Sequence, residues 1–74
     1  MVRIGIIGVG GIACGAHIPE ICESDGGVLT AVCDIDSGRL NSVGDRFNIP
    51  QNRRFTNYRE LIECDEVDAV EICT

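Results

Sequence analysis

The sequence predicts an α/β fold, a doubly wound parallel sheet that is incomplete, with about four strands and three helices. Short runs rich in valine and isoleucine alternate along the chain with segments whose apolar residues recur at helical spacing. No repeat, low-complexity tract or linker interrupts this alternation. Alternating strands and helices favour a parallel sheet with right-handed crossovers, so we expect one layer of strands covered by helices.

The first half of the chain predicts a strand, a glycine turn, a helix and a second strand. The β-branched run over residues 2–7 ends at glycine and is typical of a buried strand. A helix follows over residues 11–23, with a kink at Pro19 because proline removes a hydrogen bond within a helix. Residues 25–27 end that helix, and residues 28–33 form the second strand.

The second half predicts a helix, a very short strand, a third helix and a final strand. Apolar residues at helical spacing mark the second helix over residues 37–47. Residues 54–55 predict the short strand. Asn57, with a glutamate three residues later, is a capping arrangement for the third helix. A β-branched run over residues 67–74 predicts the fourth strand.

The charge balance and the cysteines exclude several classes of function. The 74 residues include six arginines, no lysine and twelve acidic residues, for a net charge of −6. We expect neither nucleic acid nor a membrane as a partner, because there is no basic patch and no apolar run long enough to span a bilayer. Schiff-base chemistry and a P-loop both require lysine and are excluded within these residues. The five cysteines are odd in number and widely spaced, which favours free thiols in the cytoplasm.

The glycine-rich turn fits the fingerprint of a dinucleotide-binding site. Gly8, Gly10 and Ala13 match G-x-G-x-x-G/A between a predicted strand and a predicted helix, which is the context that the motif requires. Gly8 permits the tight turn, Gly10 lets a pyrophosphate approach the backbone, and Ala13 allows close packing of the helix. Gly11 leaves one more amide unobstructed at a helix start that stabilises phosphate charge. These residues predict a Rossmann-type sheet that binds a dinucleotide without lysine.

An acidic residue completes the fingerprint. Asp34 follows the second strand, about 20 residues after Ala13, and this spacing suits a carboxylate that binds the adenosine ribose hydroxyls. The same carboxylate would repel a 2′-phosphate, so NAD is favoured over NADP, whereas Arg39 would attract one. The alternative is a glycine-rich turn without a ligand and an aspartate that only caps the next helix. We assign that capping role to Asp36, which receives no cofactor role.

Other residues with reactive side chains have simpler explanations, and we assign no catalytic residue and no metal ligand. We interpret His17 as a packed helix residue, because no partner acid or nucleophile is evident. Cys14 lies near a helix start, where a thiol can become reactive, but a packing role is simpler. An acidic group before the fourth strand suits a solvated turn better than a metal site, since no histidine or cysteine with ligand spacing accompanies it. This group is Glu63, Asp65, Glu66 and Asp68.

With these residues placed, the chain resembles the N-terminal part of the Gfo/Idh/MocA family of oxidoreductases, the relatives of glucose–fructose oxidoreductase and inositol dehydrogenase. The resemblance covers essentially the whole chain. It is carried by residues 2–13, 17–19, 32–34, 47–50, 56–62 and 67–74. It implies an NAD(P)-binding Rossmann domain followed by a larger substrate domain. It also implies hydride transfer between nicotinamide and a sugar, polyol or related hydroxylated substrate.

The resemblance also implies contacts with the cofactor, position by position. The residues implied to face the pyrophosphate are Gly8, Gly10, Gly11 and Ile12. Asp34 and Ile35 are implied to face the ribose, and Arg39 the adenine. Cys73 and Thr74 are implied to approach the central part of the cofactor. The departures from the family pattern are small: alanine replaces a third glycine, and aspartate at position 36 stands where proline is common. The family's catalytic lysine and its downstream aspartate and histidine have no counterpart in this chain.

We therefore expect residues 1–74 to be the N-terminal part of a longer cytoplasmic enzyme, whose C-terminal substrate domain is absent from this chain. The fourth strand would leave an apolar edge with unpaired backbone groups, so we also expect a homo-oligomer. The first two helices should cover one face of the sheet and the third helix the other. The alternative is a stand-alone NAD(H)-binding regulatory module without catalysis.

Overall fold

Strands and helices alternate along the chain as predicted. The computed structural model describes residues 2–9, 18, 20 and 26–72. The elements are strands β1 (Val2–Ile7), β2 (Gly27–Cys33), β3 (Arg54–Phe55) and β4 (Ala69–Ile72), helices α1 (Ser37–Arg46) and α2 (Tyr58–Ile62), and a 3-10 turn at Gln51–Arg53. The predicted first helix lies outside the described residues, as does its kink at Pro19, except that Ile18 and Glu20 are helical.

The predicted bounds differ from the observed ones by a few residues. β2 begins one residue earlier than predicted, at Gly27, and α1 ends one residue earlier, at Arg46. The predicted start of the fourth strand at Val67 is wrong. The N–H of Val67 donates to the carbonyl of Cys64 at 3.2 Å and so belongs to the preceding turn. Residues 73–74 of that predicted strand lie outside the described residues.

The four strands form one parallel sheet in the order β3-β2-β1-β4. Ile7 of β1 pairs with Cys33 of β2 and with Ile72 of β4, and Cys33 pairs with Phe55 of β3. The last residues of all four strands therefore lie level along one side of the sheet, which we call the carboxyl edge. In parallel sheets this is the edge where ligands bind.

A β-bulge interrupts the pairing of β1 with β2. The register shifts by one residue between Ile4 and Gly5, and Thr30 is the extra residue of β2. The Thr30 hydroxyl donates to the backbone carbonyl of Glu66 at 2.6 Å, and the Thr30 carbonyl accepts from Nε of Arg53 at 2.7 Å. The bulge changes which residues of β2 face each side of the sheet.

Each face of the sheet buries an apolar cluster. The cluster on the α1 side contains Ile4, Ile6, Val9, Ile18, Val32, Leu40 and Ile49. The cluster on the α2 side contains Ala31, Cys33 and Leu61, with Ile7, Phe55 and Val67 packed against it. Ile18, from the predicted first helix, and Leu40 of α1 share a cluster, whereas Leu61 of α2 belongs to the other. The second and third predicted helices therefore lie on opposite faces of the sheet, as predicted, whereas of the first predicted helix only Ile18 is seen on the α1 side.

β4 is an outer strand of this sheet, as predicted, and its apolar side chains are exposed. Val70 and Ile72 belong to this outer strand, and both side chains are exposed. Within the described residues, no helix combines the length and apolarity needed to cross a membrane.

Candidate functional site

The first part of the candidate site is the turn at the end of β1. Gly8 has a φ of 87°, in the left-handed region where a side chain is strained. Its N–H donates to the carbonyl of Cys33 at 2.8 Å, which holds the turn against the end of β2. Val9 is buried in the cluster on the α1 side. The first glycine of the motif thus makes the tight turn that the sequence predicted, at the carboxyl edge.

Asp34 lies directly after β2 and is held through both its backbone and its side chain. Its N–H donates to the carbonyl of Phe55 at 3.1 Å, and its Oδ1 accepts from the N–H of Asp36 at 2.8 Å. The second bond forms a local turn of the kind that aspartate favours. Because Gly8 is bonded to the residue before Asp34, the structure brings the glycine turn and the carboxylate together.

The chain after Asp34 exposes one apolar and one basic side chain. The Ile35 side chain is 93% exposed. Arg39 lies in the first turn of α1, where its N–H donates to Oδ1 of Asp36 at 3.1 Å. The predicted capping role of Asp36 is confirmed. The alternative in which Asp34 caps this helix is wrong, because Asp36 occupies the capping position.

Several predicted residues lie outside the part of the chain that the structure describes. Among the residues singled out from the sequence, these are Gly10, Gly11, Ile12, Ala13, Cys14, His17, Cys73 and Thr74. Ile72, which precedes Cys73, pairs with Ile7 of β1, so β4 ends at the carboxyl edge beside the glycine turn.

The structure shows an ion-pair network that was not predicted, at the side of the sheet where β1 and β4 begin. The backbone N–H, Nε and Nη2 of Arg3 donate to the Asp68 carboxylate at 2.9, 3.0 and 2.8 Å, and Nη1 donates to Glu66 at 3.4 Å. These hydrogen bonds and the Arg3 charge lower the pKa of Asp68 to about 2, and they raise the pKa of Arg3. The carboxylates of Glu66 and Asp68 are exposed, in agreement with the predicted solvated turn. Through Arg3 they also connect β1 to the segment that precedes β4.

Arg54 is a further residue whose role sequence reasoning missed. Its side chain is only 7% exposed and crosses α1 at Gly44. Nε donates to the carbonyl of Ile49 at 2.8 Å, and Nη1 lies 3.3 Å from Oδ1 of Asn41 and 2.9 Å from Oδ1 of Asp45. These contacts, which we call the Arg54 network, fix β3 to α1. β3 in turn supplies the carbonyl that binds the Asp34 backbone. A sequence signal for this network is absent, since its partners are 5 to 13 positions away.

Metal-binding side chains do not cluster in the described part of the chain. No group of three or more histidine, cysteine, aspartate or glutamate side chains comes together there. Cys33 and Cys64 are free thiols, and burial raises the pKa of Cys33, which favours its uncharged form.

The parallel sheet, the left-handed turn after β1 and the carboxylate after β2 define the class of domain, a Rossmann-type α/β fold. The model of the GFO_IDH_MocA oxidoreductase family, NAD-binding Rossmann fold, matches residues 2–74. The chain belongs to this family, and the family expected from the sequence is confirmed.

Two relatives and two solved structures show how much of such a protein the chain represents. A glycosyl hydrolase family 109 protein of Shewanella baltica is 33% identical over 81 residues, which cover 100% of this chain and 17% of the relative. The uncharacterized oxidoreductase ORF334 of Rhizobium meliloti is 33% identical over 72 residues, which cover 97% of this chain and 21% of the relative. The chain thus spans about a fifth of the length of these relatives.

The solved structures agree with this fold. The myo-inositol 2-dehydrogenase of Lactobacillus plantarum has a TM-score of 0.75 at 26% identity, over 99% of this chain and 21% of that one. The WlbA dehydrogenase of Chromobacterium violaceum, solved with NADH and UDP-GlcNAcA, has a TM-score of 0.73 at 24% identity, over 99% of this chain and 20% of that one. At 24% identity, the similarity to the WlbA dehydrogenase concerns the fold alone.

Proposed function

We propose that this chain binds NAD(H) at its carboxyl edge and is the cofactor-binding part of a larger oxidoreductase. That enzyme would transfer hydride between nicotinamide and a sugar, polyol or related hydroxylated substrate. The observation that carries the proposal is the junction of the two halves of the dinucleotide fingerprint, where Gly8 is bonded to Cys33 and Asp34 follows directly. The bound cofactor supplies the hydride chemistry, and the residues of this chain position it.

The glycine turn suits a pyrophosphate. The φ of 87° at Gly8 turns the backbone sharply at the end of β1, at the carboxyl edge of the sheet. Gly8, Gly10, Gly11 and Ile12 are the residues that we propose to face the pyrophosphate. Glycines there leave backbone N–H groups unobstructed, and such groups bind phosphate without the help of lysine.

The residues after β2 suit the adenosine. The Asp34 carboxylate, oriented by the N–H of Asp36, would accept hydrogen bonds from the ribose hydroxyls. Ile35 presents an exposed apolar surface beside it, and Arg39 presents a planar cation for the adenine. We propose Cys73 and Thr74 for the central part of the cofactor, since β4 ends at the same edge. A carboxylate at the ribose favours NAD over NADP, because it would repel a 2′-phosphate.

Titration of the purified protein with NADH and NADPH, followed by dinucleotide fluorescence, tests the site. We expect tighter binding of NADH. Asp34→Ala should weaken NADH binding about 10- to 100-fold, because hydrogen bonds to a charged group contribute about 1.5–3 kcal/mol. Asp65→Ala is the matched control, because it removes an exposed carboxylate from the turn before β4. Tighter NADPH binding, or an unchanged affinity of Asp34→Ala for NADH, would contradict this role of Asp34.

The names of the relatives support two candidate activities for the whole protein. The structural likeness to an inositol dehydrogenase favours oxidation of a hydroxylated substrate. The 33% identity with glycosyl hydrolase family 109 proteins favours glycoside hydrolysis as a second candidate. Assays of sugar and polyol oxidation, followed by NADH formation, and of glycoside cleavage, followed by release of the reducing sugar, separate the two.

The intact mass of the protein from its native source decides whether a substrate domain accompanies these residues. We expect a mass several times 8.0 kDa, with residues 1–74 as the N-terminal part of the NAD-binding domain. A mass near 8.0 kDa would instead support a stand-alone NAD(H)-binding regulatory module. We further propose a cytoplasmic homo-oligomer, supported by the free thiols and the exposed edge of β4. Light scattering of the purified protein and fractionation of the source cells test these two points.

A further inference from the structure

Asp36 contacts both of the residues that we propose to surround the adenosine. Its backbone N–H donates to Oδ1 of Asp34 at 2.8 Å. Its own Oδ1 accepts from the backbone N–H of Arg39 at 3.1 Å, and its Oδ2 lies 3.8 Å from Nε of Arg39. From the sequence we predicted only a capping role for this residue, whereas the structure also places its carboxylate beside the Arg39 guanidinium.

The capping bond gives the ion pair a defined geometry. Oδ1 of Asp36 is bonded to the backbone of α1, and this bond orients the carboxylate so that Oδ2 faces the Arg39 side chain. An arginine beside the ribose end of the second strand normally accommodates a 2′-phosphate. Here Arg39, the arginine that follows Asp34 most closely in sequence, is already paired with the carboxylate that caps its own helix.

We propose that Asp36 is a positioning residue that sets the cofactor preference, because it holds the Arg39 guanidinium at the start of α1 and keeps it from binding a 2′-phosphate. This inference rests on the proposed function, the binding of a dinucleotide at the carboxyl edge. Rejection of NADPH then has two sources. Asp34 repels the phosphate directly, and Asp36 withholds the cation that would attract it.

Asp36→Asn tests the inference with little disturbance of the helix. Asparagine caps a helix about as well as aspartate, so the capping bond remains while the charge is lost. The side chains of Arg39 and Asp36 are 63% and 52% exposed, so the pair has the strength of a surface ion pair. We expect NADPH to bind about two- to fivefold more tightly and NADH affinity to change by less than about twofold. Asp65→Asn, the same charge change in the turn before β4, should leave both affinities unchanged.

The dependence on Arg39 separates this mechanism from simple repulsion. In Arg39→Gln, the additional change Asp36→Asn should no longer raise NADPH affinity. An equal gain without Arg39 would show that Asp36 acts by its own charge and would overturn the proposal. The gain should also shrink at 1 M salt, because exposed charges are screened within about 3 Å there. A gain that does not respond to salt would overturn the proposal as well.

Arg39→Gln alone provides a second measurement that does not depend on the folding of Asp36→Asn. If Asp36 withholds Arg39, this change leaves the ratio of NADPH to NADH affinity as it is. A selective loss of NADPH affinity would show that Arg39 already binds the phosphate, and it would overturn the inference. If the wild-type protein binds NADH but Asp36→Asn leaves the NADPH affinity unchanged, this inference alone is refuted. Wild-type protein that binds neither dinucleotide refutes the proposed function and this inference with it.

Discussion

Replacing Gly44 by alanine should destabilise the protein when Arg54 is present and stabilise it when Arg54 is absent. A Cβ at position 44 would overlap the Arg54 side chain, lying 2.6 Å from its Cδ and its Cζ. The guanidinium would have to leave its hydrogen bond with Ile49, at 2.8 Å, and its contact with Asp45, at 2.9 Å. Helix geometry itself does not require the glycine, since no positive φ is found there.

The expected magnitudes follow from these contacts. Alanine is favoured over glycine within a helix by about 1 kcal/mol. A hydrogen bond of a charged group contributes about 1.5–3 kcal/mol, and the exposed Asp45 adds little. Gly44→Ala should therefore lower the free energy of unfolding by about 0.5–2 kcal/mol in the wild-type background. In the Arg54→Ala background the same change should raise it by about 1 kcal/mol.

Urea denaturation of the wild type, the two single variants and the double variant measures this coupling. The free energies of unfolding should differ from additivity by about 1.5–3 kcal/mol, with unchanged m-values. Gly38→Ala, near the start of α1 and away from Arg54, serves as the control and should show no dependence on the Arg54 background. If Gly44→Ala destabilises equally with and without Arg54, the role assigned to the Arg54 network is refuted.

Three further predictions concern the α2 side of the sheet, the glycine turn and the pairing of Asp68 with Arg3. Leu61→Ala should lower the free energy of unfolding by about 2–5 kcal/mol, since this buried leucine packs α2 against the sheet. Ile62→Ala should lower it by less than about 1 kcal/mol, because that side chain is 54% exposed. A comparable loss in both variants, measured by urea denaturation, would contradict this packing. Gly8→Ala forces a side chain into a φ of 87° and should lower stability by about 1–2 kcal/mol and weaken NADH binding; unchanged thermal unfolding would argue against the turn. The carboxylate of Asp68 should stabilise the fold above about pH 4, because its folded pKa of about 2 lies below its ordinary value of 3.8, and this contribution is lost as the pH falls toward 2. Acid unfolding followed by circular dichroism should therefore be less steep over that range in Asp68→Asn, and superimposable curves would contradict the pairing with Arg3.

Much of the candidate site was predictable because the fingerprint is local. A strand, a turn that needs glycine and a second strand that ends in aspartate are each encoded within a few residues. For that reason Gly8 and Asp34 were found from the motif and its spacing, and in the structure Gly8 is bonded to Cys33, the residue before Asp34. The capping role of Asp36 was equally local. Its 3.8 Å contact with Arg39 was not predicted, because it depends on the rotamer of the arginine on the folded helix.

The differences between the predicted and the observed fold also have a physical cause. The pattern of apolar residues predicts an unbroken strand over residues 28–33, because alternation along the sequence does not show a bulge. At the bulge the hydroxyl and the carbonyl of Thr30 are bonded to Glu66 and Arg53, which are distant in sequence. Similarly, Val67 continues the apolar run of the fourth strand in sequence, but its N–H is used by the preceding turn.

The residues along the chain were sufficient to predict its family, the order of strands and helices, the glycine turn and the acid after the second strand. The last three depend on the conformational preferences of neighbouring residues, which act before any distant contact forms. The register of the bulge and the ion pairs of Arg3 became visible only in the folded chain. The burial of Arg54 against Gly44 and the contact of Asp36 with Arg39 belong to the same group. Each of these depends on side chains that only the folded sheet and its helices bring within hydrogen-bonding or ion-pair distance.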